Sequence, residues 1–198
     1  ARRTGAAGPR PFSGYRDGGA HGRMRFRPAA EAPAPGNRRL NGEQEMELAR
    51  QHLLRRPPGQ AHAMGVCGVG VSGVAVLLRA RGWRVSGCDR HVDPAMAAWL
   101  AERGVAVAAG HDPAHLADCD LLLLSAAVPD GEAEPARARA AGVPVIRRGV
   151  ALAALAAGRR AVTVCGTHGK TTTACFVTRL LQTLGDAPDW CIGGATRA

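Results

Sequence analysis

From residue 60 onwards, apolar runs of strand length alternate with helical patterns, and few folds accommodate that alternation. Runs at 61–66, 83–87, 105–108, 121–125, 143–146 and 161–164 read as strands, and helical periodicity lies between them at 70–81, 94–103, 132–141 and 150–157. Strand–helix repetition of this kind predicts an α/β fold, a Rossmann-like parallel sheet covered by helices on both faces. A further helical pattern, at 174–181, follows the last run.

Residues 1–40 show no such pattern. Gly, Pro, Ala and Arg alternate there without apolar periodicity, so the segment cannot bury enough surface to offset the entropy of ordering. The formal net charge of the 198 residues is +10. Much of it sits in the first 60 residues, whose arginines are scattered rather than grouped into a nucleic-acid reading motif. A disordered basic arm over 1–45 is expected, with no nucleic-acid partner. Gly42-Glu43-Gln44-Glu45 is compatible with translation of a purine-rich ribosome-binding site, which would make Met46 the first native residue. A short helix and linker follow over 46–60, where acidic residues precede apolar ones and Pro57-Pro58 stops the helix.

The six cysteines form no C-x-x-C pair, and no histidine cluster has zinc spacing. A reducing cytoplasm fits this usage. No stretch approaches the roughly 20 apolar residues of a membrane span, and the N-terminus lacks the apolar core of a signal peptide.

Two glycine-rich loops carry the chemistry. The first follows the first strand and reads Gly68-Val69-Gly70-Val71-Ser72-Gly73, a G-x-G-x-x-G opening a helix. Glycines there permit a tight turn, close approach of a diphosphate and close helix packing. Asp89 follows about 20 residues later at the end of the second strand, where an acid can bind a ribose hydroxyl. The second loop is Gly166-Thr167-His168-Gly169-Lys170-Thr171-Thr172, placed between the run 161–164 and a helical pattern. It holds the only lysine of the chain. Backbone N–H groups converging at a positive helix end suit an anion, Lys170 adds a charge for outer phosphates, and Thr171 can ligate Mg²⁺. A nucleoside triphosphate is the expected occupant, although Val164 stands where the strict phosphate-loop pattern has glycine.

The run Gly65–Ala75, the segment Val85-Ser86-Gly87-Cys88-Asp89, Ser125-Ala126-Ala127-Val128, Val143–Arg148 and above all Gly166–Thr173 resemble the Mur ligases of bacterial cell-wall synthesis. Thr-His-Gly-Lys-Thr-Thr is the family's own form of the phosphate loop, and Ile192-Gly193-Gly194 looks like its following strand and turn. The resemblance implies a UDP-substrate domain over 61–157 and the start of a P-loop ATPase-type central domain over 158–198, with the chain as an N-terminal fragment inactive alone. It further implies that Gly68, Val69, Gly70, Ser72, Gly73, Asp89 and Ser125 hold the UDP of UDP-N-acetylmuramate. Gly166, Thr167, His168, Gly169, Lys170, Thr171 and Thr172 would hold ATP, with Lys170 and Thr171 catalytic and Thr171 on Mg²⁺. The implied reaction phosphorylates the substrate carboxylate and lets the amine of L-alanine attack the acyl phosphate. A branch that reattaches a recycled peptide shares both loops, and the first loop alone would suit an NAD(P)-dependent oxidoreductase.

Overall fold

The computed structural model describes residues 40–129 and 131–193; the arm expected over 1–45 lies outside them up to residue 39, as does Gly194. The boundary at 45 is corrected by α1 (Gly42–Arg50), which starts earlier because Asn41 caps it. Asn41 Oδ1 accepts from the Gln44 N–H at 2.9 Å, and Gln44 Oε1 accepts from the Asn41 N–H at 3.0 Å, so two otherwise orphaned donors are satisfied reciprocally. Glu43 and Glu45 in the first turn and Arg50 in the last complement the helix dipole. The helix runs into a wider π-type turn, Gln51–Arg55, and stops where Arg56 becomes extended ahead of proline.

Five strands follow, β1 (Gln60–Met64), β2 (Arg84–Asp89), β3 (Val105–Ala109), β4 (Leu121–Leu124) and β5 (Val145–Arg147). They form one parallel sheet in the order β3-β2-β1-β4-β5. The chain walks outward from β1 to β3, then returns to the other side of β1 to lay down β4. Between β1 and β4 the winding direction reverses.

Helices α2 (Val69–Ala80), α3 (Pro94–Ala101), α4 (Ala133–Ala140) and α5 (Arg148–Ala156) cover the sheet. Residues of alternate register point to opposite faces. Ala61, Ala63, Val85, Leu121, Leu123 and Ile146 pack with α1, α2, α3 and α5, whereas Met64, Cys88, Leu122 and Leu124 pack with Ala138 of α4. All four leucines of β4 are fully buried, as a strand covered on both faces requires.

One expected strand is absent. Residues 161–166 join no ladder, and Val162 is 72 % exposed. An apolar run becomes a strand only when a neighbour takes its N–H and C=O groups, and no strand among the described residues lies beside this one. Beyond it stands α6 (Lys170–Thr183), which buries no side chain and leaves Phe176, Leu180 and the following Leu184 largely exposed. The segment after it returns to the sheet domain, where Asp189 pairs with Arg81 at 3.7 Å and with Arg159.

Candidate functional site

At the carboxyl ends of β1 and β4 the chain turns through a left-handed glycine. Gly65 takes φ +77°, and a Cβ on it would stand 2.8 Å from the Cβ of Ser125. Only glycine fits that place. The Gly65 and Val66 N–H groups both donate to the Cys88 carbonyl, at 2.8 and 3.1 Å, and the Ser125 N–H donates to the Met64 carbonyl at 3.2 Å, so three strand ends are tied to one loop.

Asp89 ends β2 beside this loop. Its Oδ2 accepts from the Cys67 N–H at 3.0 Å and its Oδ1 from the His91 N–H at 3.2 Å. The carboxylate therefore holds the loop as well as facing the edge where a ribose would lie. Gly68 leads into α2 with no side-chain cap, leaving first-turn N–H groups at Val69 and Gly70 for an anion. Gly68, Val69, Gly70, Asp89 and Ser125 thus share the edge that the sequence assigns them.

Ser72 and Gly73 behave differently. Ser72 is buried, its hydroxyl donates to the Val69 carbonyl at 3.0 Å, and its N–H donates to the Gly68 carbonyl at 3.0 Å. It braces the turn instead of presenting a polar atom to a ligand. A Cβ on Gly73 would come within 2.9 Å of Cys191 Sγ, so this glycine admits the returning segment against α2.

Arg148 is the residue that motif spacing misses. It opens α5, and its guanidinium lies 3.1 Å from where a Cβ on Gly70 would be. A cation is thereby set beside the glycine loop. The run Val143–Arg148 enters the sequence only as part of the family resemblance, and no spacing links Arg148 to Gly70, because α2 and α5 come side by side only in the folded sheet domain. A half-open hollow of about 510 Å³, lined by Pro58, Trp83, Asp120 and Pro144, lies at the opposite, amino ends of the strands. The carboxyl edge is an open ledge, yet it is where the winding reverses, and open α/β sheets bind their ligands at that edge.

The second loop heads α6. Gly169 precedes the helix with φ +74°, and a Cβ there would meet nothing within 4 Å. The helix start carries no side-chain cap. The N–H groups of Lys170, Thr171 and Thr172 thus open its first turn beside solvent. Lys170 Nζ folds back to donate to the carbonyls of Gly166 at 2.6 Å and Thr167 at 3.0 Å. The ammonium is thus held over the cradle by weak neutral acceptors that phosphate oxygens can replace. Thr167, His168 and Thr171 are exposed on the same loop.

A profile described as "Mur ligase family, catalytic domain" matches residues 60–160. The UDP-N-acetylmuramate–L-alanine ligase of Acidothermus cellulolyticus is 50 % identical over 135 residues, covering 68 % of this chain and 28 % of that protein. The enzyme of the same name from Kineococcus radiotolerans is 48 % identical over 139 residues, covering 69 % and 29 %. Among solved structures, a UDP-N-acetylmuramate:L-alanyl-gamma-D-glutamyl-meso-diaminopimelate ligase from Neisseria meningitides aligns with a TM-score of 0.64 at 31 % identity, covering 70 % of this chain and 44 % of that one. The UDP-N-acetylmuramate-alanine ligase of Thermotoga maritima aligns with a TM-score of 0.61 at 30 % identity, covering 66 % and 30 %. The chain spans less than a third of the length of those curated relatives.

Proposed function

Because this chain belongs to the Mur ligase family, we propose that it carries the UDP-substrate ledge and the ATP loop of an ATP-dependent ligase that joins L-alanine to UDP-N-acetylmuramate. The observation that carries the reading is the pairing of two helix starts without a side-chain cap on one chain, one at the reversal point of the sheet and one at Lys170. We keep the division near residue 157 as part of this proposal, with the first loop serving the UDP-substrate and the second serving ATP.

At the ledge, the Val69 and Gly70 N–H groups and the Arg148 guanidinium would bind the diphosphate, while Asp89 and Ser125 would take hydroxyls of the ribose or sugar. At the second loop, N–H groups from Gly166 to Thr172 would cradle the ATP phosphates. Lys170 would move from its two carbonyls onto the transferring phosphoryl group, stabilising charge that grows in the transition state. The exposed Thr171 hydroxyl in the first turn suits Mg²⁺, a hard cation that prefers oxygen donors. When bound, Mg²⁺ would neutralise phosphate charge during transfer to the substrate carboxylate. The acyl phosphate would then be attacked by the amine of L-alanine.

The cytoplasm is the proposed setting. Its support is six cysteines without a disulfide and no described helix long and apolar enough to cross a membrane. A recycling ligase that adds a peptide in place of L-alanine is the second reading, favoured by the Neisseria neighbour.

Ligand protection tests the ledge. UDP-N-acetylmuramate raises the unfolding midpoint of the chain and NAD does not. Arg148→Ala weakens that binding by about 10- to 100-fold, the worth of one charge-assisted contact. Equal protection by NAD would point to a redox site, and unchanged affinity in Arg148→Ala would remove the guanidinium from the diphosphate. On an enzyme of full family length, the amine consumed separates the alanine-adding reading from the recycling one.

A further inference from the structure

On the face of the sheet away from α2, four side chains from four elements converge: His62 of β1, Cys88 of β2, His115 of the short turn Pro113–Leu116 and Glu134 of α4. From this cluster we infer a closed tetrahedral site for a soft or borderline divalent cation, Zn²⁺ in the first instance. One ligand atom from each residue lies within 4.8 Å of every other. Zinc bonds of about 2.0 to 2.3 Å need the set to contract by roughly 1 Å, within reach of side-chain torsions alone.

The donors are chemically apt. Two imidazoles, a thiol and a carboxylate are typical zinc ligands, and a thiolate with Glu134 would neutralise the dication. His62 supplies the independent sign of a missing partner. It is 2 % exposed, and its Nε2 has no hydrogen-bond partner among the described residues, although it points towards Glu134 Oε2 at 3.8 Å. A buried polar atom left in this condition costs free energy that a metal bond would recover. Its other nitrogen, Nδ1, lies 2.9 Å from Ser86 Oγ, a contact of the kind that fixes which nitrogen faces a metal.

Glu134 is fully buried and already gathers the set. Its Oε1 lies 3.0 Å from His115 Nδ1, both oxygens lie 3.4 Å from Cys88 Sγ, and the Asp112 N–H donates to Oε1 at 2.6 Å. His111 Nδ1, 3.2 Å from Cys88 Sγ, would remain as an outer partner of the sulfur. On binding, a sulfur–metal bond forms and the thiol proton leaves to solvent. A cavity of about 190 Å³, lined in part by His62, Ser86 and His115, gives the ion a way in. With four protein ligands no position is left for substrate, so the ion would be structural. It would tie the end of β2 to α4, next to the carbonyl of Cys88 that anchors the glycine loop.

The purified chain, stripped with a chelator, is titrated with Co²⁺ as an optical probe and back-titrated with Zn²⁺. One equivalent should bind with tetrahedral d–d bands and a thiolate-to-cobalt charge-transfer band, both displaced by Zn²⁺. Cys88→Ser should abolish the charge-transfer band. Ser86→Ala, which leaves all four ligands in place, should weaken Zn²⁺ by about 10- to 100-fold. His115→Ala, made at the partly exposed wall of the cavity, should weaken it at least as much and serves if Cys88→Ser misfolds. Cys165→Ser, at the exposed cysteine just before the second loop, should change nothing. No bound cobalt, a charge-transfer band that survives Cys88→Ser, or one that vanishes in Cys165→Ser would each overturn the site and leave a hydrogen-bonded cluster without metal.

Discussion

Lys170→Ala, in an enzyme of full family length carrying this sequence, lowers turnover by about 10² to 10³ while UDP-N-acetylmuramate still binds. The reasoning is electrostatic. In the structure the ammonium rests on the carbonyls of Gly166 and Thr167, neutral acceptors that give it up when a phosphate arrives. Truncation removes a full charge from the transferring group but leaves Gly169 and the N–H cradle of α6 unchanged, so ATP binding falls less than kcat. Lys170→Arg should not restore the rate, because a planar guanidinium does not replace a compact ammonium in the same turn. Steady-state kinetics together with calorimetric titration of each nucleotide read the outcome. A Lys170→Ala protein that turns over normally but no longer binds the UDP-substrate would exchange the roles of the two loops.

Gly65→Val should unfold the chain more easily by about 2 to 5 kcal/mol. Left-handed backbone costs a substituted residue about 1 to 2 kcal/mol. Crowding in a packed region adds about 1 to 3 kcal/mol. Both apply here, since φ is +77° and the new Cβ would stand 2.8 Å from Ser125 Cβ. Ser125 cannot retreat freely, because its N–H is bonded to the Met64 carbonyl at the end of the central strand. Urea unfolding measures the loss, and Gly65→Ala should show the same sign with a smaller size. A midpoint unchanged in both variants would mean that the loop is free to rearrange and that the three tied strand ends do not act together.

Much of this architecture could be read from residue pattern alone, and the failures have physical causes. Five strands and the helices between them follow periodicity because each is covered by the core, as the leucines of β4 show. The sixth run, 161–164, has the same composition but no pairing neighbour, and composition cannot report on a neighbour. The start of α1 at Gly42 depended on one side chain, Asn41, whose cap outweighs the polar character of the residues after it. The glycines between β1 and α2, Asp89 at the end of β2 and Ser125 just after β4 sit at element boundaries that residue pattern marks, which is how the sequence puts them at one edge. Arg148 stands in the sequence only within the run Val143–Arg148, and its place beside Gly70 arises through the tertiary fold. Ser72 reads in sequence as an available hydroxyl within a glycine motif, and the orientation of that hydroxyl, turned inward onto the Val69 carbonyl, is set by the helix. The cluster of His62, Cys88, His115 and Glu134 has no sequence spacing at all, being assembled by strand register and by a helix from the far side of the chain.

The bare flank of α6 has a consequence in time. A helix of 14 residues that buries no side chain is held mainly by its own hydrogen bonds, and such helices open on their own at little cost. Amide protons of β1 and β4 must wait for the sheet to come apart, whereas those between Thr173 and Thr183 should exchange with solvent orders of magnitude sooner. ATP bound at the head of α6 would slow that fast class first. Hydrogen-exchange mass spectrometry should therefore show protection spreading down the helix from Lys170, with the slow protons of the leucine strand scarcely altered.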